Sequence, residues 1–352
     1  MEQRGNKSMI NLRGGKDRQS SHFLANLDLP SIESALNYTN FHLTCGALFP
    51  PEEIKQNDWR IKNIFELLDN DCDGILKGQE IKIFHDWLRT IVEPVSALLI
   101  VDVQNDFITG SLALRNCGCN QDGLDVVGPI NRLTKNGQFD EIIYTLDWHP
   151  ENHISFHENL HLRELHLDSK VTKENAKLFD TVIFAEPYLE QILWPKHCVM
   201  DTWGSRLHKD LVIAPDSKQL RKGLNPDVEV YSIFGEKDAT DSNEVHRILH
   251  ESGVTQVFVG GIAYDVCVKA TCLDALRLGY SVAVIDDCCR GVDVNGIQAT
   301  RRLITENDGL VINSDDVLSL VNREKRSLIM SHKSAKTMAS IAFHRTNANV
   351  FD

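Results

Sequence analysis

The residue with the most chemical promise in this chain is a cysteine. In GGIAYDVCVKAT, 260–271, an apolar run with two glycines passes into a helical pattern, and Cys267 stands at the join. Asp265 can cap the helix that begins there, which sets Cys267 in its first turn, where the helix dipole favours a thiolate. The glycine-rich turn before it allows backbone N–H groups to face an oxyanion. Against this stands the plain alternative of a cysteine that packs a core, the better reading for Cys272 among Val268, Ala275 and Leu276.

Three further stretches carry matching chemistry. LLIVDVQNDFITGSLAL places Asp102 near the end of an apolar run, followed by Asp106 and Phe107. TLDWHPENHISF places Asp147 and His149 two residues apart, so both can project beyond a strand end, and WPKHCVMDTWGS adds His197 on a loop. One carboxylate and two imidazoles suit a catalytic zinc or iron with positions left for water and substrate. His153, His157 and His161 continue a four-residue spacing from His149, but Pro150 argues against one continuous helix. His157, His161 and His166 read as surface residues. Cys117 and Cys119 have no second pair nearby to complete a structural zinc site.

These residues need a scaffold. From Val95 onward the runs 96–103, 141–147, 210–216, 255–262, 280–287 and 309–314 read as strands, and 242–253 and 265–279 read as helices. Apolar strands alternating with helices predict an α/β fold, a mostly parallel sheet with helices on both faces. Such sheets gather their chemistry at the carboxyl ends of the strands, and several of the residues above fall there.

Ahead of this lies a different pattern. Pro50 and Pro51 suit the start of a helix. Ile61, Ile64, Phe65 and Leu68 form one inner face, and Ile81, Phe84 and Leu88 a second. Between them DNDCDGILKGQE, 69–80, fits a twelve-residue EF-hand loop for Ca2+. Asp69, Asp71 and Asp73 fall at positions one, three and five, Gly74 at the turn, the Ile75 carbonyl at seven and Glu80 at twelve. Lys77 is an unusual cation at position nine, and no second intact loop accompanies this one. The expected organisation is a polar, partly disordered segment 1–47, a small helical EF-hand domain 48–94, an α/β domain 95–315 and a tail 316–352.

The four chemical segments, together with KGLNPDVEVYSIF, resemble the nicotinamidases of the isochorismatase-like cysteine hydrolases, from about Ser96 to Ser314. That resemblance implies a Rossmann-like three-layer fold and an Asp102–Lys222–Cys267 triad. It implies a metal (Zn2+, or Fe2+ or Mn2+) on Asp147, His149 and His197, with His153 either a further ligand or a group close behind. It implies a cis peptide between Ile262 and Ala263, an oxyanion hole from the N–H groups of Ala263 and Cys267, and substrate contacts from Phe107, Trp194 and Tyr231. The activity it implies is hydrolysis of nicotinamide, and of pyrazinamide, in NAD salvage. Rival readings are another amidase of the same superfamily, or a Ca2+-dependent binding module on an inactive hydrolase fold. The charged segment 157–193 is longer than in shorter relatives and suggests a lid.

Bulk properties fit this picture. At 352 residues the chain exceeds one compact domain, and a net charge of −13 disfavours nucleic acid or an anionic membrane as partner. Nine cysteines with no secretory signal point to a reducing compartment, the cytosol by default with a nuclear pool left open. A homo-oligomer or a Ca2+-dependent partner remains open on sequence alone.

Overall fold

The computed structural model describes residues 35–235 and 243–348; the lead-in before residue 35 lies outside the described residues. The first unit is built from β1 (Leu36–Asn37), α1 (Tyr38–Leu48), α2 (Pro51–Leu68), β2 (Ile75–Leu76) and α3 (Gln79–Val92). Asn37 caps α1 by accepting from the Asn40 N–H at 3.0 Å, and Pro51 opens α2 where its missing N–H costs nothing. The inner-face residues expected of α2 and α3 are all buried, packed with Phe41 and Trp87. Phe41, Cys45 and Leu48 belong to this core too, so the polar segment drawn to residue 47 is corrected: its last twelve residues form β1 and α1. Their apolar positions lie three or four apart in an otherwise polar run, a pattern that only packing reveals. Leu36–Asn37 pairs antiparallel with Ile75–Leu76, so the acidic loop has a strand partner.

The second unit runs β3 (Ser96–Val101), α4 (Asn105–Ile108), α5 (Val127–Asn136), β4 (Glu141–Asp147), β5 (Thr181–Phe184), β6 (Leu189–Ile192), β7 (Lys218–Lys222), α6 (Glu244–Glu251), β8 (Gln256–Ile262), α7 (Lys269–Arg277), β9 (Ser281–Arg290), α8 (Val294–Glu306), β10 (Leu310–Ile312), α9 (Ser314–Val321) and α10 (Leu328–Ala348). Six strands form a parallel sheet in the order β10-β9-β8-β3-β4-β7. Alternation along β3 feeds two cores: Leu98 and Ile100 pack with α5 on one face, Leu99 and Val101 with α7 on the other. Chain order reverses beside β3, which opens a crevice at the carboxyl ends of β3, β4, β7 and β8.

One expected strand is displaced. The apolar run 210–216 is irregular, with Val212 and Ile213 exposed, and the strand is the polar Lys218–Lys222. β7 is an edge strand paired only with β4 and buries only alternate residues, so it needs no apolar run. The segment 157–193 folds as the β5–β6 hairpin over a small core of Leu160, Val182, Phe184 and Leu193, and leads directly into Trp194.

The tail after 316 is not independent. Leu328 and Ala335 of α10 share the core of the first unit, Glu53 Oε1 accepts from the Leu328 N–H at 2.8 Å, and Trp87 Nε1 donates to the Ser331 carbonyl at 2.9 Å. The opposite side of α10 grips the sheet unit: Ser281 Oγ donates to the Met330 carbonyl and Lys336 pairs with Asp308, which Arg60 of α2 also meets at 2.7 Å. Ser281 and Asp308 lie at the amino ends of β9 and β10, the rim opposite the crevice. No helix among the described residues is long and apolar enough to cross a membrane.

Candidate active site

The crevice brings together residues from four strand ends. Asp102 follows β3 in a left-handed turn (φ 50°), Asp147 ends β4, Lys222 ends β7, and Cys267 lies in the turn after β8. Asp102 and Lys222 are completely buried. The Lys222 ammonium stands 3.0 Å from Asp102 Oδ2 and 3.5 Å from Cys267 Sγ, and it is hydrogen-bonded to Asp147 Oδ1. Thr145 Oγ1 donates to Asp102 Oδ1 at 2.6 Å. One cation therefore joins two carboxylates and a thiol, and burial makes each of these interactions strong.

Burial raises the Asp102 carboxyl to about 6, against the pull of Lys222. Asp147 is equally buried, yet Lys222 and then His149 hold it well below the usual carboxylate range. Burial also pushes the Cys267 thiol up, with Lys222 the one strong influence in the other direction. Burial thus opposes the thiolate that a helix terminus would favour, and the cysteine is a buried thiol beside the Lys222 ammonium. Asp265 does not cap the helix. Its carboxylate accepts from the Val292 and Asp293 N–H groups at 2.9 Å each, while the chain after Ala263 makes a wide turn closed by the Val268 N–H on the Ala263 carbonyl. The peptide between Ile262 and Ala263 is cis.

Asp147, His149 and His197 present ligand atoms within 4.8 Å of one another. His149 Nδ1 is held by the Gly223 carbonyl at 3.0 Å and His197 Nδ1 by the Pro195 carbonyl at 2.7 Å. Each ring therefore turns Nε2 toward Asp147, the arrangement by which metal-binding histidines are usually fixed. Gly223 (φ +73°) allows this approach, since a side chain there would strike the His149 ring. His149 Nε2 is buried with no hydrogen-bond partner among the described residues. Burial and the adjacent His149 lower His197 to about 4, so its ring is neutral near pH 7. His153 stacks on His149 with ring centroids 4.1 Å apart, but Ser155 Oγ and the Val228 carbonyl engage both its nitrogens. The geometry thus puts it behind His149 rather than beside Asp147.

A cavity opens beside these groups, lined by Phe107, Trp194, Tyr231, Ala263 and Cys267 together with Asp147 and His197. Trp194 Nε1 and Gln191 Nε2 both donate to the Tyr231 hydroxyl, at 3.1 and 3.2 Å, so the hairpin stiffens the aromatic wall. His161 and His166 are away from this cavity; His157 is bonded to the Ala176 carbonyl. Sequence reading passed over Thr145, Gln104 and Glu229. Thr145 was accessible from strand alternation, two residues before Asp147. Glu229 lines the cavity beside His149, a placement that depends on a loop path and leaves no sequence signal.

The arrangement sets a cavity walled by aromatic side chains against a thiol, with a buried carboxylate and its paired ammonium behind it. Comparison with known proteins agrees. An isochorismatase domain model matches residues 96–315. A nicotinamidase of Acinetobacter baylyi is 38% identical over 57% of this chain and 83% of its own length, and one of Saccharomyces cerevisiae 34% over 56% and 89%. Among solved structures, an Acinetobacter baumanii nicotinamidase/pyrazinamidase is 36% identical with TM-score 0.52, covering 63% of this chain and 98% of that one. The yeast nicotinamidase structure is 30% identical with TM-score 0.52, over 62% of this chain and all of that one. With the family model spanning the whole sheet unit and the crevice at its switch point, the chain belongs to the isochorismatase family.

Proposed function

We propose that this protein hydrolyses nicotinamide to nicotinate and ammonia through a thioester on Cys267, with pyrazinamide as a second substrate. The observation that carries this is the buried contact of Lys222 with both Asp102 and Cys267, the last of which lines the cavity. The relatives named as nicotinamidases, and a yeast nicotinamidase structure bound to nicotinaldehyde (29% identical, TM-score 0.51), point to a pyridine ring carrying a one-carbon substituent.

Asp102 takes the proton from Cys267, and the sulfur attacks the carboxamide carbon. The N–H groups of Ala263 and Cys267 hold the oxyanion, each donor contributing about 3 kcal/mol. Asp102 passes its proton to the leaving ammonia and then draws one from the water that cleaves the thioester, which releases nicotinate and restores the thiol. Lys222 stays charged, because Asp147 still faces it while Asp102 carries the proton. Phe107, Trp194 and Tyr231 hold the ring flat. Asp147, His149 and His197 suit a Zn2+, Fe2+ or Mn2+ ion, as the orphaned Nε2 of His149 indicates. A bound ion there supplies a Lewis-acid position for the ring nitrogen and for water.

The test is ammonia release from nicotinamide by the purified protein beside Cys267→Ala. Release by the wild type alone supports the reading. No release from metal-replete wild type, with turnover of another carboxamide, moves it to another amidase activity.

The second element of the reading is Ca2+ at 69–80. Its support is that Asp69, Asp71 and Asp73 converge within 4.8 Å, that Gly74 turns the chain at φ +83°, and that Glu80 closes the loop by accepting from Asn70 and Lys77 N–H groups. Lys77 pairs with Asp71 and Asp73, so Ca2+ must displace a tethered ammonium. Calorimetric titration against Glu80→Gln tests it, and equal heats from both proteins sink it. If Ca2+ binds, its effect reaches the hydrolase through α10 or acts on a partner, because the first unit sits on the rim opposite the crevice.

A further inference from the structure

The tripeptide steps after β3 do more than deliver Asp102. The Gln104 side chain is fully buried and lies alongside the end of β4 like one more strand. Its Nε2 donates to the Asp147 carbonyl at 2.8 Å and its Oε1 accepts from the Asp147 N–H at 2.9 Å, while Nε2 also reaches the Ser205 carbonyl at 2.8 Å. Both backbone groups of Asp147 are thus bound to one side chain, three residues beyond Tyr144, the last β4 residue paired with β3. Two residues on, Asp106 Oδ2 accepts from the Cys198 N–H at 2.7 Å, and Oδ1 accepts from Ser111 at 3.2 Å. Cys198 is the residue after His197. Gly204 faces the Asp106 carboxylate so closely that a Cβ there would collide with it.

We infer that Gln104 and Asp106 are positioning residues for the metal centre: Gln104 fixes Asp147 and Asp106 fixes His197, both from the one turn that carries the base Asp102. The inference rests on reading Asp147, His149 and His197 as metal ligands. The Nδ1 contacts with Gly223 and Pro195 orient the two imidazole rings, whereas Gln104 and Asp106 hold the backbone at Asp147 and just after His197. Asp147 and His197 lie on separate segments, β4 and the 195–205 loop, and the turn after β3 is what spans them. Hydrogen bonds of this kind behind a ligand typically govern metal affinity by about 10–100-fold.

The experiment measures Zn2+ affinity of the full-length protein by competition with a chromophoric chelator, for wild type, Gln104→Met, Asp106→Asn and His149→Ala. Both positioning variants are nearly isosteric, and Asp106→Asn changes one atom, so folding is checked by thermal unfolding before titration. The expected result is a Kd weakened about 10–100-fold in each, with nicotinamide turnover recovered when Zn2+ exceeds the new Kd. That recovery separates positioning from a general structural role, which added metal does not repair. Wild-type affinity in both variants overturns the inference, as does lost turnover that Zn2+ leaves unrestored. Equal Zn2+ binding by wild type and His149→Ala instead refutes the ligand assignment itself.

Discussion

Two lysines in this molecule each bridge a pair of aspartates, and their settings differ. Lys222 joins Asp102 and Asp147 with all three side chains almost completely buried. Lys77 joins Asp71 and Asp73 on the acidic loop with its side chain half exposed. Removing one partner of a buried pair strands the others without water, whereas water replaces a lost partner at the surface. The same residue types are therefore locked together in the crevice and paired in reach of water in the loop.

The contrast is sharpest at the crevice. Cys267→Ala should lower turnover at least about 10⁴-fold, as loss of a nucleophile in a concerted set does, with unfolding temperature nearly unchanged; retained ammonia release would remove the thiol from the chemistry. Lys222→Met should cost about 3–5 kcal/mol in urea unfolding because two buried carboxylates lose their cation. A stability loss no larger than that of a surface substitution would break the distinction between the two lysines.

A smaller effect is expected from pH. Asp102 accepts a proton only as a carboxylate, and burial raises its carboxyl to about 6. Hence kcat/KM should hold steady above that value and fall about tenfold per pH unit below it. A profile flat to pH 5 would point to a different base. Smallest of all, Lys77→Ala should change stability by under about 1 kcal/mol while tightening Ca2+ binding, since it removes the competing ammonium. Weaker Ca2+ binding in that variant would show Lys77 to be part of the loop's architecture instead.

Strand-end residues were readable because apolar runs are long where a strand is buried on both faces. The ends of β3, β4 and β8 could be located, and with them Asp102, Asp147 and the turn before Cys267. The polar edge strand β7 was misplaced for the converse reason, although the family resemblance still pointed to Lys222. Asp265 looked like a cap because capping is a local pattern, yet its carboxylate is used by a turn 27 residues away. The same limit applies to α1 and α10, whose weakly patterned sequences become core only when packed on α2 and α3.

The sequence by itself determined the chemical inventory and the alternation of strands and helices, since both follow from residue type and short-range periodicity. It also determined that the acidic loop and the cysteine lie in separate units. Tertiary structure alone decided which charge neutralises which, that Gln104 holds Asp147 in place, and that the acidic unit sits on the rim opposite the cavity. Those outcomes depend on distances between segments far apart in the chain, and on burial, which sets the strength of every charge interaction in the crevice.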